Sequence, residues 1–168
     1  MKRGHLTQTR VMAAKIYSAL PADTKKEVNL PDLQEAAMLH DFGKIFIPKE
    51  ILNKKGSLTP EEKEIMNLHS ELGYELLKQK GIKENVLRLI KYHHQTPSGS
   101  GYPAVDSDFQ CGIDLQILSV ADKYSALTEE RAYHMALNKE EALNIINEDV
   151  NRGLISEEVF LALKKALI

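Results

Sequence analysis

The sequence predicts an all-α fold: a single-domain helical bundle of about seven to eight helices spanning residues 1–168. Three observations carry this reading. Apolar residues recur at helical spacing almost everywhere. Helix start and stop signals punctuate the chain. Alternation of apolar and polar residues over strand length is absent, apart from a weak possibility near "KIFIP". With 168 residues, 43% of them hydrophobic and 27% charged, the chain is long enough to bury one core.

The elements follow in order. From Leu6 to Leu20, Met12, Ile16 and Ala19 share a helical face, and His5 lies on the same side. "LPDLQEAAMLHDFGK" places Pro31 in a first turn and predicts a stop near Gly43. "TPEEKEIMNLHSELGYELLKQ" opens with Thr59 as N-cap, Pro60 at N1 and Glu62 at N3, a capping box. "KENVLRLIKYHH" carries Val86, Leu87, Leu89 and Ile90 on its inner side. A further apolar helix is expected from about Ile113 to Leu127. "NKEEALNIINEDVNRG" runs from an Asn138 cap to Gly153, and Ser156 caps the last helix. Repeats, low-complexity tracts and linkers are absent.

Composition excludes several classes. A net charge of -2 gives no electrostatic footprint for duplex DNA or RNA. Cys111 is the only cysteine, so no internal disulfide forms, which fits a reducing compartment. No apolar run reaches bilayer-spanning length and no signal-peptide core is present. A cytoplasmic domain is expected, and its first motif falls so early that a piece of a longer protein is a natural reading.

The six histidines are not placed like surface decoration. His40 follows the small apolar stretch "AAML". His69 stands four residues after Ile65 and three before Leu72. His93 and His94 follow Ile90 at three and four residues. Asp122 falls on the face of Leu115 and Leu118, and Asp41 adjoins His40. A carboxylate on an apolar helix face is costly unless paired or metal-bound. One inward histidine is more often a satisfied core residue than a ligand. Five histidines with two aspartates on different helices favour a metal site, which bundles build from facing helices. Imidazoles with carboxylates suit iron, manganese or zinc, and the lack of ligand cysteines argues against a structural thiolate zinc site. Seven candidates exceed the needs of one ion, so two ions sharing a carboxylate, with Asp41 as the bridge, is the economical arrangement.

At these residues the chain resembles the HD-GYP domain, a subgroup of the HD metal-dependent phosphohydrolase superfamily, over almost its whole length. "LHDFGKIFIP" is similar to the HD-x-GK motif, "HSELG" to H-x-x-x-G, "HH" with "GSGYP" to the HH and GYP motifs, and "VADKYSALTEERAY" to the segment that follows. "GHLTQTRVMAAKIYSAL" resembles the helix that supplies the first histidine. The resemblance implies a phosphodiesterase that hydrolyses cyclic di-GMP to linear pGpG, GMP or both, using two divalent ions, iron or manganese, and a metal-activated hydroxide. It implies metal ligands at His5, His40, Asp41, His69, His93, His94 and Asp122. Asp41 and Lys44 would be catalytic. Lys44, Gly101, Tyr102, Pro103, Arg131 and His134 would meet the substrate. Each of these outer residues also has a plainer reading: a solvated lysine, a surface arginine pair, an ordinary turn, an exposed histidine.

Some positions depart from the family pattern. Gln95 stands where Glu is usual, and Ser98 and Ser125 where Asp is usual. Ala132 replaces a proline, and His134 a basic residue. Loss of carboxylates suggests altered support of the ligands or altered substrate preference. Members with three metals carry a Glu at the place of Met1, so two ions are expected here. Two rival readings stand beside the enzyme. One is a weakly active or non-catalytic module that binds a cyclic dinucleotide or a partner such as a diguanylate cyclase domain. The other is an HD phosphohydrolase on another nucleotide such as cyclic GMP-AMP. An upstream sensor domain is a further expected partner.

Overall fold

The computed structural model describes residues 3–130 and 136–168. The described residues fold as α1 (Arg3–Ala19), α2 (Ala22–Lys25), α3 (Leu30–Leu39), a 3-10 turn (Phe42–Phe46), α4 (Lys49–Leu52), α5 (Pro60–Asn67), α6 (His69–Lys78), α7 (Glu84–Tyr92), α8 (Ile113–Thr128), α9 (Lys139–Asn151) and α10 (Glu157–Ala166). Setting aside the single turns α2 and α4, eight helices remain among the described residues, matching the expected bundle. The only strand-like pairing among them is one antiparallel bridge between His94 and Tyr102.

α1 packs on α3, α8 and α10, while α6 packs on α7 and on the 3-10 turn. α8 is buried nearly all round, through Leu115, Ile117, Leu118, Val120 and Ala121, as expected of a central helix. Ile16, Leu33, Leu89, Ile146 and Leu163 join it in the core. Each such side chain contributes roughly 1.5–3 kcal/mol through burial. The predicted caps form. Thr59 with Glu62 and Asn138 with Glu141 make complete capping boxes, and Ser156 accepts from the Val159 amide.

Three expectations are corrected. α3 ends at Leu39, not near Gly43: His40 closes it as a cap with helical backbone, and at Asp41, φ -91 and ψ 4, the chain turns out of the helix. Gly43 has a different task. A Cβ there would lie 1.9 Å from the His69 carbonyl oxygen and 2.6 Å from the Gly73 amide nitrogen. The turn after Asp41 therefore touches α6 backbone to backbone, which only glycine permits. "KIFIP" is not a strand: Lys44 to Phe46 complete the 3-10 turn, with the Lys44 amide bonded to the Asp41 carbonyl at 3.0 Å. The long helix expected from Thr59 onward divides at Leu68. There the Leu68 amide bonds to Ile65 at 3.3 Å, tightening the last turn of α5.

Candidate metal centre

His40, His69 and His93 share one local device. Each lies at or just beyond a helix end, where backbone carbonyls lack helical partners. Each uses Nδ1 on the carbonyl three residues earlier: His40 on Ala37 at 2.9 Å, His69 on Met66 at 2.8 Å, and His93 on Ile90 at 2.7 Å. A ring nitrogen facing a carbonyl must carry the proton, so Nδ1 donates and Nε2 keeps its lone pair in the neutral ring. The three Nε2 atoms point into one buried space, and those of His69 and His93 are 3.3 Å apart.

All seven ligand candidates meet there. Their donor atoms form three overlapping groups, each within 4.8 Å: His5 with His40 and Asp122, His40 with Asp41 and His93, and His69 with His93 and His94. Asp41 Oδ1 is 3.7 Å from both His40 Nε2 and His69 Nε2, midway between the outer groups. Asp122 Oδ1 is 2.9 Å from His5 Nε2 and 3.3 Å from His40 Nε2.

The donor set fits divalent cations. His40 Nε2 and Asp41 Oδ1 are buried without a hydrogen-bond partner. Groups so placed are costly unless something satisfies them. Burial holds His69 and His93 below the ordinary histidine range, and pulls His94 down to about 3. These rings are thus neutral, the state a metal requires. Burial also opposes a charge on His40, but the neighbouring Asp122 carboxylate, its Oδ1 3.3 Å from Nε2, outweighs it with help from the charge of Asp41 and raises His40. Asp41 and Asp122 both lie below their ordinary value: burial pushes up, but His40 overcomes it at both, aided by Lys44 at Asp41 and by His5 at Asp122. The pocket is therefore electrostatically prepared for positive charge between its carboxylates.

An acid prediction follows for the metal-free protein. Below about pH 6.5 the unfolded chain protonates histidines that His69, His93 and His94 leave neutral in the fold, so stability falls with falling pH. His40, raised in the fold, works in the opposite sense, as one ring against three. The depressed aspartates add to the loss only near and below their ordinary value. The expected net loss is on the order of 1–3 kcal/mol per pH unit from about pH 6.5 toward pH 4. Urea unfolding at pH 7, 6 and 5 measures it; equal midpoints would show that the rings are not held neutral.

Lys44 reaches back from the 3-10 turn, its Nζ 2.7 Å from Asp41 Oδ2 and its side chain partly exposed. Tyr102 stacks on His94, with ring centroids 4.6 Å apart, so it supports a ligand candidate as well as flanking the cluster. Gly101 admits no side chain, since a Cβ would lie 2.1 Å from the His94 carbonyl oxygen. Pro103 is buried, and Gly99 takes φ +72. Arg131 and His134 lie outside the described residues.

Gln95, the departure next to the paired histidines, is buried and clamps the loop. Its Oε1 accepts from the Gly101 amide at 3.0 Å and the Thr96 amide at 3.3 Å, while Nε2 donates to the Pro103 carbonyl. A carboxylate could match the first two bonds but would face the Pro103 carbonyl with a second acceptor. Gln95→Glu is therefore expected to cost on the order of 1–3 kcal/mol in urea unfolding, with metal content unchanged. A variant as stable as wild type would show that the clamp is incidental. Ser98 is exposed and bonds with Thr96 and Ser100 at 3.1 and 2.9 Å, a link within the loop rather than to the ligands. Ser125 is buried on α8, one turn after Asp122.

Sequence reasoning missed Glu129. Its Oε2 lies 3.4 Å from His5 Nδ1. A spacing of seven from Asp122 would have placed it on the same helical face.

Comparison with known proteins agrees with this geometry. The family model "HD domain" matches residues 2–159. A cyclic di-GMP phosphodiesterase of Thermotoga maritima is 39% identical over 146 residues, covering 84% of this chain and 39% of that protein. The 3'3'-cGAMP-specific phosphodiesterase 3 of Vibrio cholerae is 33% identical over 135 residues, covering 80% of this chain and 29% of that protein. Among solved structures, the HDG"Y"P protein Bd1817 of Bdellovibrio bacteriovorus superposes with a TM-score of 0.72 at 18% identity, over 97% of this chain and 51% of that one. The chain belongs to the HD domain family. It spans between about three and four tenths of the length of these two curated relatives. Among the described residues no helix is long and apolar enough to cross a membrane.

Proposed function

We propose that residues 1–168 act as one HD-GYP catalytic domain, a metal-dependent phosphodiesterase that hydrolyses cyclic di-GMP to linear pGpG, GMP or both. The observation that carries this reading is the convergence of all seven ligand candidates into overlapping groups, with Asp41 between them. His5, His40, Asp41 and Asp122 would hold one divalent ion, and Asp41, His69, His93 and His94 a second, iron or manganese. Such a pair supplies Lewis acidity that lowers the pKa of water and neutralises phosphoryl charge. The chain's own residues do the rest. The Nδ1 bonds of His40, His69 and His93 fix the rings with Nε2 inward. Lys44, beside the cluster and partly exposed, stabilises charge developing on the phosphate. The loop through Gly101, Tyr102 and Pro103 walls the substrate side, and Arg131 and His134 contribute phosphate contacts. The domain works in the cytoplasm, joined to or docking with a sensor or a diguanylate cyclase domain.

A second reading, hydrolysis of cyclic GMP-AMP, is favoured by the similarity to the Vibrio cholerae protein and by the Gln95 clamp that replaces the usual carboxylate. Anaerobic purification, metal analysis and product analysis with both dinucleotides decide between them. Full metal content with turnover of cyclic di-GMP is expected. Tight binding of a cyclic dinucleotide without hydrolysis would make the chain a binding module instead.

A further inference from the structure

The ring of His5 cannot be held as three of the other ligand histidines are. His40, His69 and His93 take a carbonyl at a helix end. His5 is the third residue of α1, and helices begin with unpaired amide donors, not carbonyl acceptors. What faces its Nδ1 is the Glu129 carboxylate, at 3.4 Å. Glu129 caps the end of α8 with an extended backbone, φ -91 and ψ 133, that takes the chain out of the helix. Both side chains are largely covered, at 9% and 14% exposed. The carboxylate also lies over the start of α1, since a Cβ on Gly4 would come 3.9 Å from its Oε1. The first turn of α1 has no acidic residue of its own, so Glu129 supplies the negative charge that a helix N-terminus favours.

We infer that Glu129 is the positioning residue for His5. His5 Nδ1 is buried without a hydrogen-bond partner, and the Glu129 carboxylate 3.4 Å away is the group placed to accept from Nδ1–H once Nε2 is ligated, fixing the ring with Nε2 toward Asp122 and the first ion. A carboxylate behind a ligating imidazole also raises the basicity of the ligand nitrogen. The arrangement ties the end of α8, which carries Asp122, to the start of α1, which carries His5, so two ligands of one ion are set by one contact. This rests on the metal-centre reading above, and it assigns a residue outside the seven ligand candidates.

The test uses zinc as a diamagnetic probe in the full chain. In zinc-loaded wild type, the His5 Nδ1 proton should be visible by NMR and protected from solvent exchange, with Nε2 ligated. Glu129→Ala should lose that protection and lower the affinity of one of two zinc equivalents roughly 10–100-fold, leaving the other unchanged. Glu129→Gln, whose amide oxygen still accepts, should restore most of both. An unprotected His5 Nδ1 proton in wild type overturns the inference whether or not the variants fold. So does a Glu129→Ala protein that keeps wild-type affinity for both equivalents. Wild type that binds no zinc would overturn the metal-centre reading and this inference together. Intact zinc effects with no hydrolysis of any cyclic dinucleotide would sink the proposed reaction alone.

Discussion

Asp41→Ala should abolish hydrolysis of cyclic di-GMP and remove most of the bound metal while leaving the helical content intact. One oxygen of Asp41 lies 3.7 Å from a histidine of each outer ligand group, so its loss withdraws a shared negative charge from both. The remaining imidazoles would hold cations with only Asp122 to balance them. The expected fall in turnover exceeds about 10³-fold, more than the removal of a single charge-stabilising donor produces. Metal stoichiometry after chelator challenge, beside circular dichroism, separates this from unfolding. A folded variant retaining two metal equivalents would show that Asp41 does not join the two groups.

Lys44→Ala should give the second largest effect, a loss of roughly 10²–10³-fold in kcat/KM, with metal retained at neutral pH. The structure adds a pH signature. Lys44 donates to Asp41 at 2.7 Å and is among the groups that hold Asp41 below its ordinary value. Without that ammonium the carboxylate protonates more readily, so the acid limb of the rate profile should move to higher pH. Metal loss as complete as that of Asp41→Ala would make Lys44 a structural support of Asp41 rather than a group acting on phosphate.

Much of this architecture was legible in the sequence because it rests on local chemistry. The boxes at Thr59 and Asn138 satisfy backbone donors within four residues, so the sequence alone announces them. The ligand candidates were legible because buried histidines and aspartates are conspicuous among apolar neighbours. What was not legible depends on contacts distant along the chain. The end of α3 and the 3-10 turn answer to α6 pressing on Gly43, thirty residues from Gly73. The break at Leu68 leaves the Met66 carbonyl to His69, a side-chain choice that periodicity does not register. Glu129 meets His5 only when the ends of α1 and α8 come together. Gln95 reads as a lost carboxylate in the sequence and as a donor to Pro103 in the fold.

The contact between Gly43 and α6 sets a gauge. Asp41 lies just before this glycine, and His69 is the residue whose carbonyl it touches. Bare backbone on both sides therefore fixes how far apart the two halves of the ligand cluster stand. Side-chain packing relaxes when a core residue is exchanged, but peptide thickness does not. Core substitutions such as leucine for isoleucine can alter the stability of the bundle while leaving that separation almost untouched. A single methyl group at position 43 would act as a shim, driving α6 and His69 bodily away from Asp41 however well the rest of the protein folds.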